Sequence, residues 1–550
     1  MKRLMHSLWL TAAAAMLLLA PATAAHAQQT KPIAVISVAP IDKLFGDVDY
    51  LTKTAGQADA GRLATLIAGP YIDGVDRTKP SGAYIVLDGD KPVSVAFIPT
   101  KDLTKILATL KDSVGEPKDV GNGVQQLGDA PIYLKQEGGY VFVAQDAAHL
   151  ANLPKDPVAL LVGLEKTYSI AARLDVKSIP QAQKERIIAE MKQGFEAAPI
   201  EAEDPAQREL AEKTGRNVLN QMIRLVEESN DITLGWAVDP AAKSTYIDFV
   251  FTAIDGTKLA KTMANLKDAK TNFAGFLLPD AAFTGLSANT VTDQEEIGQT
   301  LALLDGARAQ MIKELEKEEL DDDELDAAKE LINSLMDVLS ATVKEGKFDG
   351  GAVAVAKAES LTFVAGGHVV DAPKFEAAVK KAVKFAQTKK PEEFEDVEVA
   401  FDSGKHGGIR FHTFTFPVKE EQPQKVFGEE MDVILGIGDK AVYIAAGSDA
   451  EATLKQVIDK SAAEAGKAVL PAQLTLAIGP IIKFVDSVEP NPLTSMLVTA
   501  ADKVKGNDRI MINVKAIPNG EQVRFEIEEG VLQLIGEGAK AAQNGGGGDF

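Results

Sequence analysis

The chain has 550 residues and no cysteine, and its 58 Lys+Arg stand against 80 Asp+Glu, a formal charge of −22. Without a thiol there is no disulfide framework, no cysteine-ligated zinc or iron–sulfur cluster, no cysteine nucleophile and no lipidated cysteine. The charge has the wrong sign for neutralising nucleic-acid phosphates, while 45% hydrophobic and 25% charged residues are the proportions of a folded globular protein.

The first predicted element is a signal peptide over residues 1–27. Lys2 and Arg3 precede an apolar stretch at 8–19, and Ala25-His26-Ala27 fits a small-x-small cleavage site. Removing this segment takes two cations and no acid, and the formal charge moves from −22 to −24. No later run holds 18 apolar residues, so no transmembrane segment is expected in the mature chain. Eight Tyr and two Trp are too few for the two aromatic girdles of an outer-membrane barrel. The expected location is periplasmic or extracellular.

From residue 33 onward one pattern recurs: an apolar strand, helical sequence, a strand hairpin and an amphipathic helix. Leading strands are expected at 34–39, 168–176, 282–290 and 473–481. The hairpins that follow begin at 81, 231, 350 and 509. Two shorter segments, 124–153 and 409–460, hold three strands and a helix without inserted helices. The order long–short–long occurs twice, which predicts two tandem similar modules at 28–270 and 282–543, separated near 270–281, with a flexible Gly-rich tail at 544–550. Each module is expected to be α+β, with a mainly antiparallel sheet of about nine strands packed by amphipathic helices.

Helix starts are marked locally. Thr292-Asp293-Gln294-Glu295 reads as a capping box before the stripe Ile297, Leu301, Leu304, Met311 and Leu315. Asp321-Asp322-Asp323-Glu324 separates it from a second stripe running from Leu325 to Val343. Asp204-Pro205 and Asn491-Pro492 each place a capping side chain before a first-turn proline.

Catalytic motifs are missing from the sequence. Gly436-Ile437-Gly438-Asp439-Lys440 lies between two apolar strands and reads as a hairpin turn, not a phosphate loop. There is no G-x-S-x-G and no H-E-x-x-H. Four histidines follow the signal segment: His149 and His368 sit near the ends of apolar segments, while His406, expected in a loop, and His412, expected in a strand, form a close pair with no third metal ligand in view. The run from Asp321 lacks the glycine and the terminal Glu of an EF-hand. Trp236 is expected to pack within a strand. No catalytic, cofactor-binding or metal residue is therefore assigned, and no cofactor is expected.

In overall pattern, and in phrases such as ITLGWAVDPAAKSTYIDFVFTA followed by GTKLA, the chain resembles a broad group of exported bacterial proteins of unknown function built from repeated strand–hairpin–helix units. The resemblance is structural and implies no catalytic residue. The sequence points to a secreted or periplasmic non-catalytic binding or scaffold protein, its partner an unknown protein or a small apolar ligand. Two alternatives are a secreted hydrolase with a carboxylate-based site, prompted by abundant acids, and a self-associating cell-envelope structural protein.

Overall fold

The computed structural model describes residues 31–89, 91–198, 205–317, 320–389 and 394–544. The signal peptide expected at 1–27, Asp204, and residues 545–550 of the expected tail lie outside the described residues. Helices and strands alternate through the chain, and it divides into two compact units. Unit 1 holds the described parts of 1–186, 229–252 and 526–550; unit 2 holds those of 187–228 and 253–525. Each unit is thus assembled from more than one stretch of chain.

The sheet of unit 1 is built from β1 (Ala34–Val38), β2 (Ser81–Asp88), β3 (Lys91–Pro99), β4 (Pro117–Gly121), β5 (Val124–Leu127), β6 (Tyr133–Glu137), β7 (Tyr140–Ala144), β8 (Ile170–Leu174), β9 (Ser229–Asp239) and β10 (Ser244–Ala253). Its order is β4-β5-β6-β7-β3-β2-β1-β8-β9-β10, antiparallel from β4 through β9. Unit 2 is built from β11 (Phe283–Thr290), β12 (Lys347–Lys357), β13 (Ser360–His368), β14 (Glu398–His406), β15 (Ile409–Pro417), β16 (Glu430–Ile437), β17 (Ala441–Gly447), β18 (Ala472–Ala477), β19 (Arg509–Ile517) and β20 (Gly520–Glu528). Its order is β14-β15-β16-β17-β13-β12-β11-β18-β19-β20, antiparallel from β14 through β19. The two orders are the same once ten is added to each number.

Each unit contributes ten strands among the described residues, one more than the sequence pattern gives. The additional members are β4 and β14, both edge strands. β14 is mostly exposed, and its segment EVAFDSGKH lacks the apolar alternation that marks a half-buried strand. A second difference lies at 473–481, where the strand stops at Ala477 and a helix (Ile478–Val488) begins at once. Pro480 cannot donate to a sheet ladder. The amides of Ile478 and Gly479 donate instead to Asp508, at 2.9 Å to its carbonyl and 2.7 Å to its carboxylate.

One face of each sheet is buried in a core. In unit 1, Val35, Tyr84, Val95, Phe97, Phe142 and Ala171 pack with Leu150, Leu161 and Leu164. In unit 2, Leu286, Val353, Val364, Ile434 and Tyr443 pack against Phe276 and against Leu454 and Val457 of α1 (Ala450–Ala463). Two buried-face glycines let backbone and ring approach closely. A Cβ on Gly82 would lie 2.6 Å from the Ile36 carbonyl and 2.8 Å from the Phe97 ring, and one on Gly351 would lie 2.6 Å from the Gly285 carbonyl and 2.8 Å from the Phe276 ring.

Helix starts follow the capping chemistry with one shift. In the helix Gln294–Leu315, Asp293 rather than Thr292 is the cap, its carboxylate accepting the Glu295 amide at 3.0 Å. Asp321 and Glu324 form a reciprocal capping box, which accounts for part of the acid run without a cation.

Candidate functional site

Strand register determines which side chains share the face opposite the core. In unit 1, Ile170, Ala172 and Leu174 stand beside Val38, Ile36 and Ala34 on one side and beside Trp236, Leu234 and Ile232 on the other. The Trp236 indole N–H donates to Thr245 Oγ1 at 3.0 Å, which places Thr245, and Ile247 two residues on, on the same face. In unit 2 one row reads Ala446, Phe363, Ala354, Phe283, Leu476, Ile510 and the next reads Ile444, Ala365, Ala352, Gly285, Leu474, Ile512. None of these residues is charged, in a chain that is 25% charged.

These faces are only partly covered. Leu234 is 53% exposed, Ile170, Ile247 and Ile444 each 45%, and Phe363 42%. In unit 2 a helix α2 (Ala372–Lys389) covers the face at β15–β17, where Phe375 and Val379 pack on Leu435, Ile437 and Val442, while Phe363 and Ile444 stay part-exposed. Apolar surface left in water forgoes about 25 cal/mol per Å² on covering. Contiguous apolar patches of this kind on a folded protein mark ligand or partner sites.

Among the described residues, a dense cluster of titratable groups lies in unit 2, between α2, β14 and β15. Single ligand atoms of Glu376, Asp402 and His412 all lie within 4.8 Å of one another. The Lys380 ammonium donates to Glu376 Oε1 at 2.8 Å and to Asp402 Oδ2 at 3.2 Å, and Arg410 donates to Glu376 Oε2. Both His412 nitrogens are engaged: Nδ1 accepts the Asp402 backbone N–H at 2.9 Å, so Nε2 carries the proton and faces Glu376 Oε1 at 3.0 Å. A divalent ion would have to displace two cations and a peptide N–H. The cluster is a balanced ionic network and does not fit a metal.

The electrostatics fit the same description. Burial pushes the Glu376 carboxyl up, but the Lys380 bond and the charges of Lys380, Arg410 and His412 outweigh it and hold it below the usual range. Burial and the Lys380 charge hold the His412 imidazole below its ordinary value, against the opposing pull of Glu376 and Asp402. Neither carboxylate is tuned to donate a proton as a general acid does.

A second cluster sits under β8 in unit 1. Lys43 Nζ donates to Asp47 Oδ2 at 2.7 Å and to Ser169 Oγ at 2.9 Å, and the Ser169 hydroxyl donates to Asp47 Oδ2 at 2.5 Å. The grouping has the composition of a serine–lysine site, with the protons pointing the wrong way. A nucleophilic serine needs a neighbour that accepts its proton, and here the amine donates to the hydroxyl. Ser169 is also fully buried.

The remaining sequence candidates fall apart in space. His406 and His412 do not converge: His406 closes β14 rather than lying in a loop, because Gly407 and Gly408 both adopt positive φ and make a two-residue turn. Its Nε2 lies 2.7 Å from Asp459 Oδ1. His368 ends β13 with Nε2 2.6 Å from Glu345 Oε2, and His149 Nε2 lies 3.8 Å from Asp88 Oδ2. Gly438 lies in the turn between β16 and β17, as a hairpin requires. A cleft of about 370 Å³ in unit 1 is lined by Arg77, Lys101 and Lys105, each already within 3.5 Å of an acid, Asp42, Asp76 and Asp73 respectively. Sequence reasoning missed the Glu376–His412 network because Glu376 and His412 are 36 residues apart, and its third ligand atom comes from Asp402 on β14, the strand that the pattern did not reveal. Comparison with protein-family models, with curated proteins and with solved structures found no match to this chain.

Proposed function

We propose that the chain is an exported, non-catalytic binding protein whose two similar modules, 28–270 and 282–543, each offer an open sheet face to a small apolar ligand. The observation that carries this reading is the uncharged, part-exposed apolar face present in both units at the strands flanking β1 and β11. The identical strand order and the matching glycines on β2 and β12 support the module pairing. The N-terminal segment supports export.

The test is titration of the purified chain with N-phenylnaphthylamine, an uncharged fluorophore that brightens in apolar surroundings. Saturable brightening is expected, weakened at least tenfold in affinity when Leu234→Asp and Ile444→Asp are combined, since each puts a charge in the middle of a face without changing the buried core. Unchanged binding by the double variant would remove the reading.

A carboxylate hydrolase is the competing reading, and Glu296 is the observation that favours it: burial lifts its carboxyl, helped by the charge of Asp293 and opposed by Arg224. That reading requires turnover on ester, glycan or peptide panels that a heat-denatured control lacks and that Glu296→Gln abolishes.

A further inference from the structure

The bonding of His412 carries an inference independent of the apolar faces. This ring is 1% exposed, and its Nδ1 lone pair is the acceptor for the backbone N–H of Asp402. Asp402 is a non-glycine residue at φ +55°, inside the β14 bulge where pairing to β15 shifts between Ala400 and Gly404. Left-handed backbone at such a residue is uncommon and is held by its surroundings. Here the hydrogen bond to His412 is one of the contacts that hold it.

The charged groups facing the imidazole are Glu376 and Lys380 from α2, Asp402 from β14 and Arg410 from β15. From β16 its opposite neighbour is the uncharged Leu435, and the Phe401 ring meets it edge-on at 5.6 Å. Two carboxylates and two cations balance, so the neutral ring is the form that the site accommodates.

We propose that His412 is an acid-sensitive latch on the edge strand β14, and that protonation of Nδ1 releases the Asp402 peptide. The step is a simple proton uptake from solvent: the Nδ1 lone pair takes the proton, the acceptor becomes a donor, and two N–H groups then face each other across 2.9 Å. The Asp402 amide loses its bond and the bulge is free to rearrange, while the pairs Ala400–Thr413 and Gly404–Phe411 on either side keep β14 attached.

The experiment is residue-resolved hydrogen exchange on the full chain between pH 8 and pH 5, with ¹⁵N spectra of the histidine rings recorded on the same samples. The expected result is the Nε2–H tautomer for His412 at neutral pH. Protection of the Asp402 amide should then fall about tenfold per pH unit once the ring begins to titrate, with the Phe411 and Thr413 amides unchanged. His412→Asn places a carbonyl oxygen near the Nδ1 position and cannot titrate, so its Asp402 protection should be independent of pH. An Nδ1–H tautomer at neutral pH, or Asp402 protection that stays constant while His412 titrates, overturns the proposal. The ring spectra and exchange of the unaltered chain decide the matter even where the variant does not fold.

Discussion

Each buried polar side chain in the two titratable clusters has its proton assigned by its neighbours. Asp47 accepts from both Lys43 and Ser169, and Glu376 accepts from Lys380, Arg410 and His412. Groups held this way serve packing, because a catalytic group needs a lone pair or proton aimed at open space. Replacing Glu376 by Gln leaves Lys380 and Arg410 without their main counter-charge, and both are part-exposed, so the expected loss is about 1–3 kcal/mol by urea unfolding at pH 7. The network also sets the sign of the acid response. His412 is held below its ordinary value when folded, so below about pH 6.5 the unfolded chain takes up a proton that the folded chain refuses, and stability falls. Glu376 is held below its ordinary value as well, so its contribution is present above about pH 4.5 and is lost as the pH drops through its folded value. Urea midpoints measured from pH 8 to pH 2 should therefore decline in two steps, and Glu376→Gln should remove the lower one.

Among the elements, those with a buried stripe or a cap were readable and those without were not. The core strands carry apolar alternation, and the helix starts at Asp321 and Asn491 carry capping boxes that depend on adjacent residues only. Asp321→Ala should cost about 1 kcal/mol in thermal or urea unfolding, since it orphans the Glu324 amide. Strands β4 and β14 escaped because an edge strand exposed to water has no buried face to impose a period. Both carry a bulge, at Asp119–Gly121 and at Ala400–Gly404, which interrupts the ladder that a second chain would otherwise extend. The His412 network was hidden in part for the same reason, since its Asp402 lies on β14. Close approaches were hidden too: nothing in the sequence distinguishes Gly351 from other strand glycines, yet it sits against Phe276. Gly351→Val should cost about 1–3 kcal/mol through overpacking, readable as a lower urea midpoint.

At the scale of the whole molecule, the chain has no cysteine and a large negative charge, so its stability rests on burial within the two cores. The charge is spread over solvated faces and is missing from the rows around Leu234 in unit 1 and around Phe363 in unit 2, although Arg410 and His412 lie on that same face farther toward β15. Those apolar rows are central, because part-exposed Leu234, Ile170, Ile247, Phe363 and Ile444 are costly for an acidic protein to leave wet. The sequence pattern carried the alternation of strands and helices along the chain but not the order of strands in the sheet, and periodicity alone could not say which apolar face would be covered. Coverage depends on where helices such as α2 pack, and Phe363 and Ile444 stay part-exposed. The most direct measurement is the affinity of the purified chain for N-phenylnaphthylamine with and without Leu234→Asp and Ile444→Asp, alongside the urea midpoint of each protein. Saturable binding is expected, weakened at least tenfold in the double variant while the urea midpoint barely moves. Binding that is absent in the unaltered chain, or equal in both at the same stability, would contradict the proposed binding role.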